Sequence, residues 1–233
     1  VRAFNRTYDR QMALEATRRD LTNAMAHELK TPLGIIRNFA ENLIEHNMEE
    51  KRDYYLAQII GQTEEMDHLV ADMIEIAKLD SEELALKKEN VSFQELIREQ
   101  MERFAPLIEE KNLQVHYCAE ADFQICGDRE YLAKAVWNLL SNAVEYNVSD
   151  GRIIVAVKEG MCSIENTGVH LNEEQIMHAF DLFYTGDKSR EKKVRHMGLG
   201  LFLAKRIFGL HGIGLSIENT DEGVRAVMQR GRS

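Results

Sequence analysis

Residues 56–77 read LAQIIGQTEEMDHLVADMIEIA, and this stretch decides the fold of the first part of the chain. Its apolar and small residues recur at alternating spacings of three and four, which places them in one narrow line along a helix and favours coiled packing against another helix. Residues 14–43 carry a similar line at spacings of three, four and seven. The two lines are Leu56, Ile59, Thr63, Met66, Val70, Met73 and Ala77, and Leu14, Leu21, Met25, Leu29, Leu33, Ile36, Ala40 and Leu43.

The pair His46-Asn47 separates these two lines and predicts a break between them. Two helices joined by a short connection form an antiparallel hairpin, here over about residues 8–79. Two helices alone cannot enclose a core, whereas two hairpins can do so as a four-helix bundle. The pattern therefore predicts a homodimer.

Composition and charge exclude several classes of protein. The chain has 233 residues, of which 44% are hydrophobic and 29% charged, so it can bury a core and is not a disordered chain. A net charge of −10 argues against nucleic-acid binding, which needs clustered Lys and Arg. Three scattered cysteines indicate neither a disulfide framework nor a zinc site.

The start of the sequence suggests that more chain precedes it. The sequence begins at Val1 rather than Met, and no run approaches the ~20 apolar residues of a membrane helix. Residues 1–20 are typical of the end of a helix that delivers a signal from upstream. We therefore expect the chain to continue before Val1, with the part from which that helix would receive its signal.

The second part of the chain is a mixture of helices and strands, with a boundary near residues 80–88. Ser92 with Glu95 forms a capping box that starts a helix to about Lys111, and Asp128 can cap a helix to about Asn147. Asn172 with Gln175 starts a short helix, and residues 198–210 form another. Strands are predicted at 84–86, 113–117, 153–158, 162–165, 215–218 and 224–229, mostly as hairpins that helices cover on one face.

Three groups of residues could carry chemistry. His27 lies away from the apolar line beside Glu28, just before Thr31-Pro32, so it is either a nucleophile with its base or an ordinary surface histidine. Asn138, Asn142 and Tyr146 are four residues apart and share one face of a helix. Their carboxamide oxygens suit Mg²⁺, although asparagines also border helices by chance.

The third group is a glycine-rich helix start. Gly198, Leu199, Gly200 and Leu201 open a helix whose free N–H groups could bind phosphate. The preceding residues 187–196 hold five Lys or Arg, as a polyphosphate-binding loop would, although a solvated charged loop has the same composition.

In this order, the motifs resemble the boxes of sensor histidine kinases of two-component systems. Residues 27–33 (HELKTPL) resemble the phosphoacceptor box and 138–147 the asparagine box. Asn166-Thr167-Gly168 resembles the first glycine box, 180–187 the phenylalanine box and 198–201 the second glycine box. The resemblance covers nearly the whole chain. The Asn-Thr-Gly variant is also found in sensors of the vancomycin-resistance and antimicrobial-peptide type.

The resemblance implies an α+β protein: a dimeric helical hairpin (1–81) for dimerisation and histidine phosphotransfer, then an α/β sandwich (82–233) that binds ATP, as in gyrase and heat-shock ATPases. ATP with Mg²⁺ would phosphorylate His27, which Glu28 orients or deprotonates. The phosphoryl group would pass to an aspartate in the receiver domain of a response regulator, and Thr31 would place a water for dephosphorylation.

The resemblance also implies the nucleotide-binding residues. Asn142 would hold Mg²⁺ with support from Asn138, and Tyr146 would pack on adenine. Lys188 or Arg190 would screen phosphate charge. The remaining contacts would come from Asn166, Gly168, Gly198, Leu199, Gly200 and Leu201.

Four positions depart from the family pattern. Asn166 replaces an Asp that accepts a hydrogen bond from the adenine amino group, and the neutral carboxamide accepts more weakly. His170 and His196 replace glycines, and Glu145 replaces a basic residue. A kinase of low activity or one acting mainly as a phosphatase is therefore open, as are a pseudokinase scaffold and an ATPase clamp.

Overall fold

The computed structural model describes residues 2–45, 51–81, 84–168, 170–185 and 198–231, with side chains from residue 22 onward. The chain divides into two compact units, Val1–Ala77 and Lys78–Ser233. The predicted break at His46-Asn47 lies outside the described residues, as do Lys188, Arg190 and His196. No described helix combines the length and the apolar composition needed to span a membrane.

The first unit is helical. Helix α1 covers Arg2–Ile44 and α2 covers Arg52–Leu79. The two helices pack near their connected ends, where the ring centroids of Phe39 and Tyr55 lie 5.3 Å apart. The hairpin predicted from the spacing is therefore present.

The buried line of α2 differs from the predicted one. Leu69 and Ile76 are 3% and 1% exposed, whereas Leu56 and Val70 are 41% and 43% exposed. Ile59, Met66 and Met73 are half-buried and belong to both lines. Both flanks of these three residues are apolar, and the single chain buries the flank with Leu69 and Ile76. The predicted line, assigned to packing in a four-helix bundle, stays a prediction. The exposed flank of α2 is an apolar surface that a second chain could cover.

The second unit contains one five-stranded sheet and one two-stranded sheet. Its elements are β1 (Lys88–Ser92), α3 (Phe93–Glu110), β2 (Gln114–Ala119), β3 (Gln124–Asp128), α4 (Arg129–Glu145), β4 (Arg152–Lys158), β5 (Met161–Thr167), α5 (Glu173–His178), α6 (Gly200–Leu210), β6 (Ile213–Asn219) and β7 (Gly223–Arg230). The large sheet has the order β2-β4-β5-β7-β6, and β1 pairs with β3. Only β2 and β4 run parallel within it; the other neighbours are antiparallel.

The helix starts agree with the local signals in the sequence. Ser92 caps α3 by accepting from Glu95 N, and Asp128 caps α4 by accepting from Glu130 N. Asn172 and Gln175 form a complete capping box at α5. The predicted strand at 84–86 is wrong: the strand begins at Lys88, because its partner β3, which the sequence did not reveal, pairs with residues 88–92.

The core lies between the large sheet and its helices. α4 packs on β5, α6 packs on β6, and both α3 and α6 contact α4. Alternate residues of β4 point into this layer and are buried, as expected for a strand covered on one face, whereas four consecutive residues of β5 are buried. The fully or nearly fully buried members are Ile153, Val155, Val157, Cys162, Ile164, Leu132, Val136, Leu140, Leu203, Ile207 and Met228.

Candidate functional site

The imidazole of His27 is exposed on α1. Its side chain is 69% exposed, and Nδ1 lies 3.3 Å from Oε1 of Glu28. An imidazole that donates its Nδ1 proton to a carboxylate carries its free lone pair on Nε2. With the proton on Nδ1, this arrangement leaves the Nε2 lone pair on an accessible ring. Thr31 is also exposed, and α1 continues as a helix through Pro32.

The predicted stripe on α4 is present in the second unit. Asn138 and Asn142 are half-buried, and Tyr146 is exposed at the C-terminal end of the helix. Asn138 Nδ2 is buried and has no hydrogen-bond partner among the described residues. A buried donor of this kind is costly unless an acceptor satisfies it, so it fits an oxygen-rich ligand such as a phosphate or its bound water.

The glycine-rich helix start lies against this stripe. A Cβ added to Gly200 would lie 3.5 Å from both Cγ and Oδ1 of Asn138, so the backbone of α6 approaches the carboxamide closely. Leu199 provides no side-chain cap for α6. The first N–H groups of a helix have no partner within the helix, and those of α6 are therefore suited to an anion.

Gly198 joins this helix start to the phenylalanine box. It has φ +70°, and a Cβ there would lie 2.6 Å from the carbonyl oxygen of Tyr184. Phe183, itself at φ +60°, donates its N–H to the Gly198 carbonyl at 3.2 Å. Glycine is required here both by the left-handed conformation and by the close approach of two backbones.

The first glycine box continues from the end of β5. Asn166 lies on the same face of the strand as Ile164, the face that the helices cover, and it is half-buried. Its Nδ2 donates to the Thr167 carbonyl at 3.4 Å, and Oδ1 accepts no hydrogen bond from the described residues. Gly168 has φ +126° and forms an isolated bridge with Asn147.

Asn147 and Thr167 connect the asparagine box to the first glycine box. The Thr167 hydroxyl donates to Asn147 Oδ1 at 3.0 Å and accepts from the Arg152 N–H at 2.7 Å. Asn147 Nδ2 donates to the carbonyls of Ala143 and Arg152 at 3.2 and 2.9 Å. Sequence reasoning assigned no role to either side chain, although both lie inside the motifs that it identified.

A lysine side chain lies at the C-terminal end of α4. The Lys111 ammonium donates to the carbonyls of Val144 and Glu145 at 2.7 and 2.9 Å. A cation at this position stabilises the negative end of the helix. Lys111 was not predicted as a site residue. The sequence placed it only at the end of α3, and no local pattern indicated that its side chain contacts the end of α4.

The buried thiol of Cys162 takes no part in this chemistry. Burial raises its pKa to about 12, because the apolar surroundings disfavour the thiolate. A neutral thiol is a poor nucleophile and a poor metal ligand. Cys162 is therefore part of the core beneath the site.

The structure brings four of the five motifs together in one unit. The asparagine box contacts both glycine boxes, through Asn138 with Gly200 and Asn147 with Gly168, and the phenylalanine box contacts Gly198. The fifth motif, with His27, belongs to the first unit. Lys188 and Arg190 lie outside the described residues, so their expected contact with phosphate stays a prediction.

Comparison with protein families gives two matches. Residues 17–82 match the His Kinase A (phospho-acceptor) domain. Residues 127–230 match the family described as histidine kinase-, DNA gyrase B-, and HSP90-like ATPase. The two matched segments together cover well over half of the chain and contain all five motifs.

Individual relatives agree with this pair of domains. The chain is 28% identical over 223 residues to the sensor protein VanSC of Enterococcus gallinarum, covering 93% of this chain and 62% of the relative. It is 27% identical over 201 residues to the sensor histidine protein kinase HK06 of Streptococcus pneumoniae (85% and 44%) and 26% identical over 210 residues to the sensor histidine kinase WalK of Bacillus subtilis (87% and 34%). The chain thus spans less than half of HK06 and of WalK.

Solved structures show the same fold. The histidine kinase AdeS of Acinetobacter baumannii has a TM-score of 0.71 at 19% identity, covering 88% of this chain and 97% of that one. Histidine kinase ThkA, in its complex with the response regulator protein TrrA, has a TM-score of 0.73 at 24% identity, covering 92% and 61%. The chain has a phosphoacceptor domain followed by an ATPase domain, and the relatives named above are sensor proteins or sensor histidine kinases. The chain therefore belongs to the sensor histidine kinases of two-component systems.

Proposed function

We propose that this chain uses ATP to phosphorylate His27 and then passes the phosphoryl group to an aspartate in the receiver domain of a response regulator. The observation that carries the proposal is the exposed His27 imidazole, with Nδ1 turned to the Glu28 carboxylate 3.3 Å away. Such a ring presents the Nε2 lone pair to an incoming phosphoryl group.

The transfer needs little covalent chemistry from the protein. Nε2 forms a bond to the γ-phosphorus, the bond from that phosphorus to the β–γ bridging oxygen breaks, and ADP leaves. The ring becomes positively charged as the bond forms, and the Glu28 carboxylate stabilises that charge through the Nδ1 proton. The rest of the catalysis is positioning and charge neutralisation.

The nucleotide is proposed to bind where four motifs meet. Asn142, supported by Asn138, would hold Mg²⁺, which neutralises phosphate charge when bound. The N-terminus of α6 with Gly198, Leu199, Gly200 and Leu201 would receive the phosphates, helped by Lys188 or Arg190. The unpaired Asn138 Nδ2 supports an oxygen ligand at this point.

The base is proposed to lie between the ends of α4 and β5, beside Gly168. Tyr146 would pack on adenine, and Asn166 Oδ1 would accept from the adenine amino group. The Asn166 amide supports this role, since its Nδ2 donates to the Thr167 carbonyl and its Oδ1 accepts from no residue in the described part of the chain. Guanine presents a carbonyl oxygen in place of the amino group, so two acceptors would face each other.

The partners follow from the same proposal. ThkA forms a complex with the response regulator TrrA, and we propose a receiver domain as the partner of this chain. Thr31, exposed one helical turn after His27, would place a water for dephosphorylation of the regulator. The exposed apolar flank of α2 supports the homodimer.

The proposed organisation is a phosphotransfer domain at 1–81 and an ATP-binding domain at 82–233. We propose that a membrane-inserted sensor precedes Val1 and that this part lies in the bacterial cytoplasm. VanSC and WalK are about equally similar to the chain, at 28% and 26% identity. The narrower assignment to sensors of the vancomycin-resistance or antimicrobial-peptide type therefore stays a prediction.

The test is incubation with ATP labelled at the γ-phosphate. We expect an acid-labile, base-stable label on the wild-type chain and none on His27→Gln. His68→Gln is the matched control, since His68 is an exposed histidine on α2 of the same unit. Addition of the cognate receiver domain should move the label to the regulator.

Two other outcomes would overturn the proposal in different ways. Nucleotide binding without any label on His27 would favour a scaffold that controls a regulator by docking. The neutral Asn166 and the acidic Glu145 are the features that favour this second candidate. Release of free phosphate without a phosphoprotein would favour an ATPase clamp.

A further inference from the structure

The segment that follows β5 is fastened to the turn between β6 and β7. The Asn219 side chain pairs with both backbone groups of one residue: Leu171 N–H donates to Oδ1 at 2.9 Å, and Nδ2 donates to the Leu171 carbonyl at 2.7 Å. A single carboxamide thus replaces the two hydrogen bonds that a neighbouring strand would supply.

His170 makes a second connection to the same turn. Its Nε2 lies 2.7 Å from the carbonyl oxygen of Thr220, so Nε2–H donates to that carbonyl. A glycine at position 170, as in the family pattern, has no side chain to make this bond. The departure from the pattern therefore has a structural consequence.

Thr220 connects the turn back to β5 itself. Its hydroxyl donates to Glu165 Oε1 at 2.7 Å and accepts from the Gly223 N–H at 3.2 Å. Glu165 is buried, and Arg225 donates to its Oε2 from Nε at 2.8 Å. Because Glu165 directly precedes Asn166, the turn holds the backbone on the N-terminal side of the proposed base-binding residue.

The backbone on the C-terminal side of Asn166 is held by the same turn. Gly168 N–H donates to the Glu222 carbonyl at 3.0 Å. A Cβ at Gly223 would lie 2.0 Å from the Asn166 carbonyl oxygen, so the two backbones are in close contact. Asn166 therefore stands on a segment whose position is fixed from both ends by residues 219–223.

We propose that His170 and Asn219 are positioning residues for the nucleotide base: they hold residues 166–168 and 170–172 in their binding conformation before the nucleotide arrives. Neither side chain is proposed to touch the nucleotide. Ordering a segment in advance removes that entropy cost from binding. His170 would thereby compensate for part of the ATP affinity that is lost because Asn166 is neutral where the family has Asp. This inference rests on the proposed ATP site.

The experiment compares His170→Gly and Asn219→Ala with the wild-type 233-residue chain. Isothermal titration with ADP should show a Kd raised about three- to tenfold in each, the size expected for losing one ordering contact. In the labelling assay, KM for ATP should rise by the same factor while kcat at saturating ATP stays unchanged, because the reacting groups are untouched.

Three controls separate positioning from general destabilisation. His170→Gln keeps an N–H donor on a side chain of similar reach and should restore the ADP Kd to within about twofold. Asn90→Ala removes an exposed bond to Gln124 in the separate β1–β3 sheet and should leave the Kd unchanged. Inorganic tripolyphosphate has no base, so its inhibition constant against ATP should be the same in all variants.

The results that overturn the inference are distinct from those that overturn the proposed function. Unchanged ADP Kd in both His170→Gly and Asn219→Ala, or an equal loss of tripolyphosphate binding, refutes the positioning role. A wild-type chain that binds ADP but does not label His27 refutes the kinase proposal and leaves the ADP titration as the test of positioning. A wild-type chain that binds no ADP refutes both.

Discussion

Replacement of Thr167 by valine should destabilise the second unit while keeping the shape of the side chain. The Thr167 hydroxyl is buried and joins two elements: it accepts from the Arg152 N–H at 2.7 Å and donates to Asn147 Oδ1 at 3.0 Å. Valine replaces the hydroxyl by a methyl group of similar size. Both partners then lose a hydrogen bond, and water has poor access to them.

The expected loss can be worked from these two bonds. A buried polar group left without its partner costs about 1–3 kcal/mol, and the added methyl offsets part of it, so we expect about 2–3 kcal/mol. For a domain of about 150 residues, that corresponds to a fall in Tm of about 5–10 °C. Thr167→Ser keeps the hydroxyl and loses one methyl, which costs about 0.8 kcal/mol.

Thermal unfolding of the whole chain, followed by tryptophan fluorescence, measures this difference. Trp137 is the single tryptophan and lies on α4, so its signal reports the second unit. In an Asn147→Ala background the cost of Thr167→Val should shrink, because one of the two partners is already gone. Equal Tm values for the valine and serine variants would refute the reasoning.

Three further outcomes follow from the same structure. Because the pKa of Cys162 is raised to about 12, only the other two cysteines, which are exposed, should react with iodoacetamide at pH 8 in a native intact-mass experiment; all three should react in denaturant. Arg225→Met leaves the buried Glu165 carboxylate without its guanidinium and should lower the free energy of unfolding by about 2–4 kcal/mol in urea titrations, with partial recovery in the double variant that also carries Glu165→Gln. Asn166→Asp supplies a charged acceptor and should lower KM for ATP about fivefold in the labelling assay, whereas Asn166→Ala should raise it.

Local signals in the sequence were sufficient for the helix starts. Ser92, Asp128 and Asn172 each cap a helix within three residues of their own position, so no distant contact is needed to define them. The strand β3 escaped notice for the opposite reason. It is short and polar at its start, and it is stabilised by pairing with β1, more than thirty residues earlier in the chain.

The phase of the buried line on α2 could not be read from spacing. Leu69 and Val70 are both large and apolar, and Ile76 is followed directly by Ala77 of the predicted line. Spacing therefore defined the helix and its apolar face, whereas burial of one flank depends on which neighbour is present. A single chain buries Leu69 and leaves Val70 exposed.

The site was predictable as a set of motifs but not as a set of contacts. Spacing along α4 indicated that Asn138 and Asn142 share a face, because they belong to one helix. The contacts of Asn138 with Gly200 and of Asn147 with Thr167 join residues 20 to 62 positions apart. Such contacts are set by how strands and helices pack, and a motif marks only the residues that take part.

These contacts divide the chemistry into two parts that are each built locally. The neighbouring Glu28 carboxylate lies 3.3 Å from Nδ1 of His27 within a single helix. The nucleotide side is assembled within the second unit by backbone contacts and buried hydrogen bonds around Asn147, Gly168 and Gly198. The described contacts that form each part lie within its own unit, so a signal could act without building either one. Control of phosphorylation would then act on how often the imidazole and the γ-phosphate meet, since effective concentration alone can change such a rate by orders of magnitude.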